Sequence, residues 1–257
     1  MDFAAVIGTF LGVAFILLGQ AMEGGNIGQL LQITAFFIVG GGTAGAVFLS
    51  FPLEDFKVAG HCIGVVYFGK PPKFEDLIQE IVGYAQKARK EGVIILEKEA
   101  KNASSPLLKL GLEAVADGAE PTLVRDMMET QLAQIEEKIG AGAKVLESAG
   151  GYSPTLGIIG AVLGLIQVMQ NLSDPSKLGA GIAVAFVATI YGLVIANLLT
   201  IPYSTRAKRK YAKIFASMEM MIEGILSIQA GESPALVERK LECYIVDKKE
   251  EKDGEKA

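Results

Sequence analysis

The chain has 257 residues, 51% of them apolar, with 30 glycines and a mean hydropathy of +0.39, a balance that fits a membrane protein better than a soluble one. With a net charge of −5, nothing suggests a nucleic-acid partner, whose electrostatic footprint would be a concentrated basic surface. Cys62 and Cys243 lie far apart in sequence and outside the apolar runs, so neither a disulfide framework nor a metal cluster is indicated.

Taken in order, Phe3 to Met22 is the first apolar run. No Lys or Arg precedes it, which argues against a cleaved signal peptide and for a retained transmembrane helix. After the link Glu23-Gly24-Gly25-Asn26, a second run extends from Leu30 to Phe51 and is closed by Pro52, so residues 1–51 are expected to form a first transmembrane hairpin. The cluster Gly40-Gly41-Gly42-Thr43-Ala44-Gly45 is not followed by the Gly-Lys-Ser/Thr of a phosphate loop, and small residues for helix packing explain it better.

Residues 52–150 read as a cytoplasmic helical domain with an interfacial segment. From Leu53 to Phe68, Asp55, Lys57 and His61 alternate with apolar residues, which suits a helix lying along the membrane surface. Pro71-Pro72 breaks the chain, and Phe74, Leu77, Ile78, Ile81, Val82 and Ala85 then recur at helical spacing. A second helix is expected over Ser105 to Ala116. A third starts at Pro121 with Leu123, Met127, Met128, Leu132 and Ile135 on one side, and its polar continuation from Lys138 to Ala149 leads into the third span.

Residues 151–202 form the second hairpin, two apolar runs between Tyr152 and Pro202 joined by a short polar turn. Neither run contains Asp, Glu, Lys, Arg or His, yet both are rich in Gly and Ala and carry hydroxyls at Ser153, Thr155, Thr189, Tyr191 and Thr200. That combination suits close packing beside a narrow polar path whose charge comes from another chain. Residues 203–246 read as cytoplasmic helices: an amphipathic one from Tyr203 to Ala230, a stop at Gly231, and a new start at Ser233-Pro234. The charged tail, 247–257, reads as disordered. Of the 24 Lys and Arg, only Lys177 lies in either inter-helix turn, which places both termini and the region between spans 2 and 3 in the cytoplasm. The fold class expected is therefore an all-α polytopic membrane protein with four transmembrane helices, a helical cytoplasmic domain between spans 2 and 3, and long helices extending from spans 3 and 4.

In the cytoplasmic domain, Ala88 to Glu99 brackets an apolar patch with Arg89 and Lys90 on one side and Glu97 and Glu99 on the other. If helical throughout, it brings Arg89 and Glu97 onto one face, suited to a charged partner; the alternative is an ordinary solvated face.

The order of elements resembles the A subunit of the bacterial flagellar motor stator, the MotA/PomA family. The resemblance rests on Arg89-x-x-Gly92-x-x-x-Leu96-Glu97, on Pro154-Thr155-Leu156-Gly157-Ile158-Ile159-Gly160, on Asn171-Leu172-x-Asp174-Pro175, and on Ala185-x-x-Ala188-Thr189-x-Tyr191-Gly192. It covers the chain except the charged tail. It implies a pentamer in the bacterial inner membrane surrounding two copies of a stator B subunit, each with one transmembrane helix and an ion-carrying aspartate, and a rotor (switch complex) protein as the cytoplasmic partner. Residue by residue it implies that Thr155, Phe186 and Thr189 line the ion path, that Pro154 and Pro202 are structural or gating residues at the inner ends of spans 3 and 4, and that Arg89, Lys90, Glu97 and Glu99 engage the rotor. The plainer alternative is that Pro154 and Pro202 only end helices and Thr189 only bonds back to its own helix.

No cofactor or metal is implied. Sodium-type members carry Thr where this chain has Ala161, and Thr-Thr where it has Ala188-Thr189. Fewer hydroxyl oxygens make a poorer shell for a hard cation, so H+ is favoured and Na+ is the alternative. The ExbB/TolQ proton channels that energise outer-membrane transport are the nearest other family, but they typically have three spans. With His61 the only histidine and no nucleophile or metal motif, an enzyme is not expected.

Overall fold

The first two membrane-length helices start at side-chain caps, Asp2 and Asn26, and the third starts at Pro121. The computed structural model describes residues 2–245, and every regular element among them is helical. Four segments, Phe3–Met22, Ile27–Ser50, Pro121–Gln170 and Leu178–Gln229, are long and apolar enough to cross a membrane, as the sequence predicts. The tail for which disorder is expected, 247–257, lies outside the described residues.

The chain divides into two compact units, residues up to Lys70 with Lys138–Lys210, and Pro71–Glu137 with Tyr211 onward. In the first, α1 (Phe3–Met22) starts at Asp2, whose side chain accepts from the Ala5 amide. The second span is a 3₁₀ turn at Ile27–Leu30, then α2 (Ile33–Phe36), a π turn at Phe37–Gly41, and α3 (Gly42–Ser50). The π turn ends within the glycine cluster, where Gly42 lies so near Leu156 that a Cβ would sit 3.1 Å from its Cδ2. Helix α4 (Leu53–Phe68) buries Ala59, Cys62 and Val66 and exposes Lys57 and His61, the amphipathic pattern expected of it.

The sequence-based division places boundaries after residues 51, 150, 202 and 246, whereas the compact units divide after Lys70, Glu137 and Lys210. Helix α4 belongs with the spans because Gly142 meets it closely: a Cβ there would fall 2.7 Å from Val58 Cγ1. Lys210 Nζ also donates to the carbonyls of Val65, Val66 and Gly69, closing the C-terminal end of α4. The same ammonium lies 3.1 Å from the Asp2 carboxylate, which accepts from Arg206 Nη2 at 2.6 Å. Arg206 first, and Lys210 second, hold the Asp2 carboxyl well below the usual carboxylate range.

The second unit contains α5 (Phe74–Glu91), α6 (Ile95–Ala100), α7 (Pro106–Ala116), the start of α8 (Pro121–Gln170), the end of α10 (Ile201–Gln229), and α11 (Pro234–Glu242). Its core holds Ile81, Leu96, Leu107, Leu108, Leu112, Met128, Met220, Ile225 and Leu241. Ser105 and Ser233 cap α7 and α11 through their side chains, each followed by proline at the first helical position. The stripe of α8 that enters the core is Val124, Met128 and Leu132. Leu123 and Met127, expected on the inward side, are exposed, because the contact is set by Met128 lying against Gly111. Helix α8 runs unbroken through Gly140, Gly142 and Pro154 into the third span. The fourth span, α9 (Pro175–Val194), passes through a π turn at Ile195–Thr200 directly into α10.

Candidate functional site

Glycine and alanine decide how the second hairpin closes. A Cβ placed on Gly164 would sit 2.7 Å from both Ala185 N and Gly181 O, and one on Gly160 would sit 2.5 Å from Ala188 Cβ. Toward the other end, a Cβ on Gly192 would meet Ser153 O at 2.5 Å and Pro154 Cα at 3.1 Å. The two backbones are therefore in contact along α8 and α9, a separation that larger side chains would not permit. Sequence composition indicated this packing, and the structure supplies the partners.

Thr189 lies beside that seam: a Cβ on Gly157 would fall 3.3 Å from Thr189 Cα. Its hydroxyl donates to Ala185 O at 3.2 Å, and the exposed Thr155 donates to Tyr152 O at 2.7 Å. Back-bonding, the plainer alternative, is thus present, but it uses only the proton of each hydroxyl. The oxygen lone pairs stay available to accept from a protonated carboxyl or to ligate a cation. Phe186, 69% exposed, stands three residues from Thr189 on one face of α9. Thr155 is on the other helix and its hydroxyl turns to its own backbone, so no direct bond joins it to Thr189.

Neither Pro154 nor Pro202 ends a helix. Pro154 is internal to α8, and Pro202 follows the π turn as the second residue of α10. Each lacks an N–H, which removes the helical donor for the carbonyl four residues earlier, at Gly150 and Leu198. Those places are close together, since a Cβ on Gly150 would fall 2.8 Å from Thr200 Oγ1 and 2.5 Å from Ile201 Cγ1. Thr200 Oγ1 in turn donates to Ile195 O, within the π turn. Ser153, to which the sequence reading gave no specific role, is fully buried here, and its hydroxyl has no hydrogen-bond partner among the described residues. Its signal in the sequence was a hydroxyl directly before the internal proline. The end of the hairpin that holds Pro154 and Pro202 is therefore a polar break in two otherwise helical segments.

The charged segment is not one helix. Arg89 and Lys90 occupy the last turn of α5, Gly92 stops it at φ +84°, and Glu97 and Glu99 lie on α6. The single face expected for a continuous helix does not form, because Gly92 adopts a backbone conformation closed to other residues. Arg89, Lys90 and Glu97 are exposed and make no ion pair among the described residues, whereas Glu99 is bonded to Lys87 at 2.7 Å. Lys87 was not singled out in the sequence; its partner is twelve residues away, beyond the range of helical spacing.

Comparison with known proteins agrees with this geometry. Residues 99–220 match the MotA/TolQ/ExbB proton channel family. Motility protein A of Bacillus subtilis is 34% identical over 95% of this chain and 91% of its own length. Among solved structures, that of C. jejuni MotAB superposes with a TM-score of 0.88 at 29% identity, over 95% of this chain and 96% of that one. The flagellar MotAB stator complex of Bacillus subtilis gives 0.86 at 33%, over 97% and 98%. Chemotaxis protein PomA of Vibrio alginolyticus is 29% identical over 95% of this chain and 96% of its own length. These likenesses span both hairpins and the helical segments outside them, and the chain belongs to the MotA/PomA family of flagellar motor stator A subunits, within the wider MotA/TolQ/ExbB family.

Proposed function

We infer that this chain is the A subunit of a flagellar motor stator and that, with an aspartate-bearing B subunit, it forms an ion channel that drives torque on the rotor. The observation that carries this reading is the second hairpin, charge-free, closed backbone to backbone and lined with hydroxyls, in a fold matched end to end by MotAB structures. A carboxylate at mid-membrane costs about 2.5–3.5 kcal/mol on insertion scales, so an ion carrier in such a setting needs a polar niche and a neutralising ion. Thr189, Thr155 and the break around Ser153, Pro154 and Thr200 supply acceptors for it, and exposed Phe186 lies on the face left for the partner. Binding and release of the ion then change the charge of the partner's aspartate and its preferred contacts, stepping a ring of five A subunits around two B subunits.

Arg89, Lys90 and Glu97 pass that motion to a rotor protein. The coupling ion is H+, because Ala161 and Ala188 leave the path with few hydroxyl oxygens. The complex sits in the bacterial inner membrane with both termini in the cytoplasm. Asp2 bonded to Arg206 supports that placement, since it keeps the first residues beside the basic end of the fourth span. Relatives matched over nearly their full length include motility proteins, and the first hairpin is present, which favours the motor over the ExbB/TolQ alternative.

The test is deletion of the gene with complementation, scoring flagella and swimming separately. Cells should be flagellated but paralysed, and wild type should restore swimming; deleted cells that still swim would end the proposal. T189L should assemble in the membrane and give no torque. Swimming should persist when potassium replaces sodium and stop with a protonophore, and the reverse result would transfer the coupling to Na+.

A further inference from the structure

Two ties hold α6 in place. Lys87 Nζ on α5 donates to Glu99 Oε2 on α6 at 2.7 Å, with 48% of the lysine side chain exposed but only 17% of the glutamate's. Seven residues before Lys87, on the same face of α5, Glu80 accepts from the Ser104 amide at 2.9 Å, from the Ser104 hydroxyl, and from the Tyr84 hydroxyl at 2.6 Å. Tyr84 is buried, and burial followed by the adjacent Glu80 pushes its hydroxyl above the ordinary tyrosine range. One carboxylate thus grips the segment leading into α7, and one ammonium grips α6 itself.

Helix α6 has six residues, less than two turns, and so short a helix does not persist on its own propensity. Leu96 and Ala100 anchor its buried side. The preceding residue Ile94 is 75% exposed, so the entry from Gly92 is held only loosely by packing. With its apolar side set by Leu96 and Ala100, α6 is tied back to α5 across the Gly92 turn by the Lys87–Glu99 pair.

We propose that Glu99 does not contact the rotor but forms with Lys87 a positioning pair that sets the pose of α6, leaving Arg89, Lys90 and Glu97 to make the contact. This rests on the reading that the α5–α6 segment faces the rotor. Glu99 is the least exposed of the four charges and the only one bonded within the chain among the described residues.

The experiment compares K87E, E99K, the swap K87E/E99K and the neutral pair K87Q/E99Q. Each is expressed with the B subunit in the deletion strain and assayed for membrane abundance and torque. Amide exchange over residues 95–100 is measured in the purified complex without rotor. Each single reversal should speed exchange in α6 by about two- to fivefold and reduce torque, and the swap should restore both. The neutral pair, which can still hydrogen-bond side chain to side chain, should retain torque even if the reversals fail to accumulate. A rotor contact through Glu99 makes the opposite set: unchanged exchange in E99K, and lost torque in both double variants. Either part of that result overturns the proposal. Failure of wild type to restore swimming would instead reject the stator reading.

Discussion

Tyr191 shows what a single hydroxyl does in a fold of saturated helices. Its Oη donates to Leu30 O at 2.6 Å and accepts from the Gln32 amide at 3.1 Å, serving both sides of the junction where the 3₁₀ turn gives way to α2. Tyr191 is sixteen residues beyond Pro175, so it holds the turn of the first hairpin about 24 Å along α9 from the start of that helix, less the reach of the side chain. Tyr191→Phe strands two backbone groups and should cost about 1–3 kcal/mol, read as a lower unfolding temperature of the purified complex. Asp2 is the second case. Its carboxyl is held below the ordinary value of 3.8 by Arg206 first and Lys210 second, so its contribution is present above that value and is lost as pH falls through the lower folded one. Asp2→Asn should therefore lower the unfolding temperature at neutral pH and leave little difference from wild type in strong acid. An equal deficit at every pH would show that the charge is not what matters.

At the level of elements, the chain was legible wherever a local rule decided the outcome. Ser105-Pro106 and Ser233-Pro234 announce α7 and α11, and hydropathy alone locates the four spans. Contacts between distant residues were not legible: Tyr191 with Leu30, Lys210 with the end of α4, and the choice of Gly164 facing Ala185 depend on helices meeting in space. The break at Gly92 was missed for a different reason, since a lone glycine among good helix formers fits a continuous helix as well as a stop. Its backbone, φ +84° and ψ 167°, lies where essentially only glycine goes. Gly92→Ala should cost about 1–3 kcal/mol in local strain and disturb α6, lowering torque while the complex still reaches the membrane. Gly164→Val attacks a rigid contact instead, because the added atoms meet the Ala185 and Gly181 backbones. Overpacking of about 1–3 kcal/mol should reduce the amount of assembled complex in the membrane, a defect that Gly92→Ala does not share.

For the whole molecule, the division into two units has a thermodynamic consequence. The unit of Pro71–Glu137 with Tyr211 onward contains its own buried core, whereas the spans expose apolar faces such as Phe10, Phe37 and Ile158 that a bilayer or detergent must cover. Heating in detergent should give two transitions, with the one belonging to the spans shifting with detergent and the other not. Lys240 offers a way to address the second alone. It bonds Glu232 and Glu223, each at 3.0 Å, and Ser227 at 3.1 Å, joining α11 to α10. Glu232 is held below its ordinary value, chiefly by that ammonium, and Lys240 is raised by Glu232 first and Glu223 second. The carboxylate's contribution is present above pH 4.5 and lost as pH falls through its lower folded value; the ammonium's is present below 10.5 and lost as pH rises through its higher one. Lys240→Met leaves Glu223 and Glu232 without their shared cation, so across the neutral range it should lower only the detergent-insensitive transition, by about 4 °C for each kcal/mol lost. The two proteins should converge in acid, as Glu232 is protonated. A single transition that moves as a whole in Lys240→Met would show that α8 and α10, which run through both units, make the chain unfold as one.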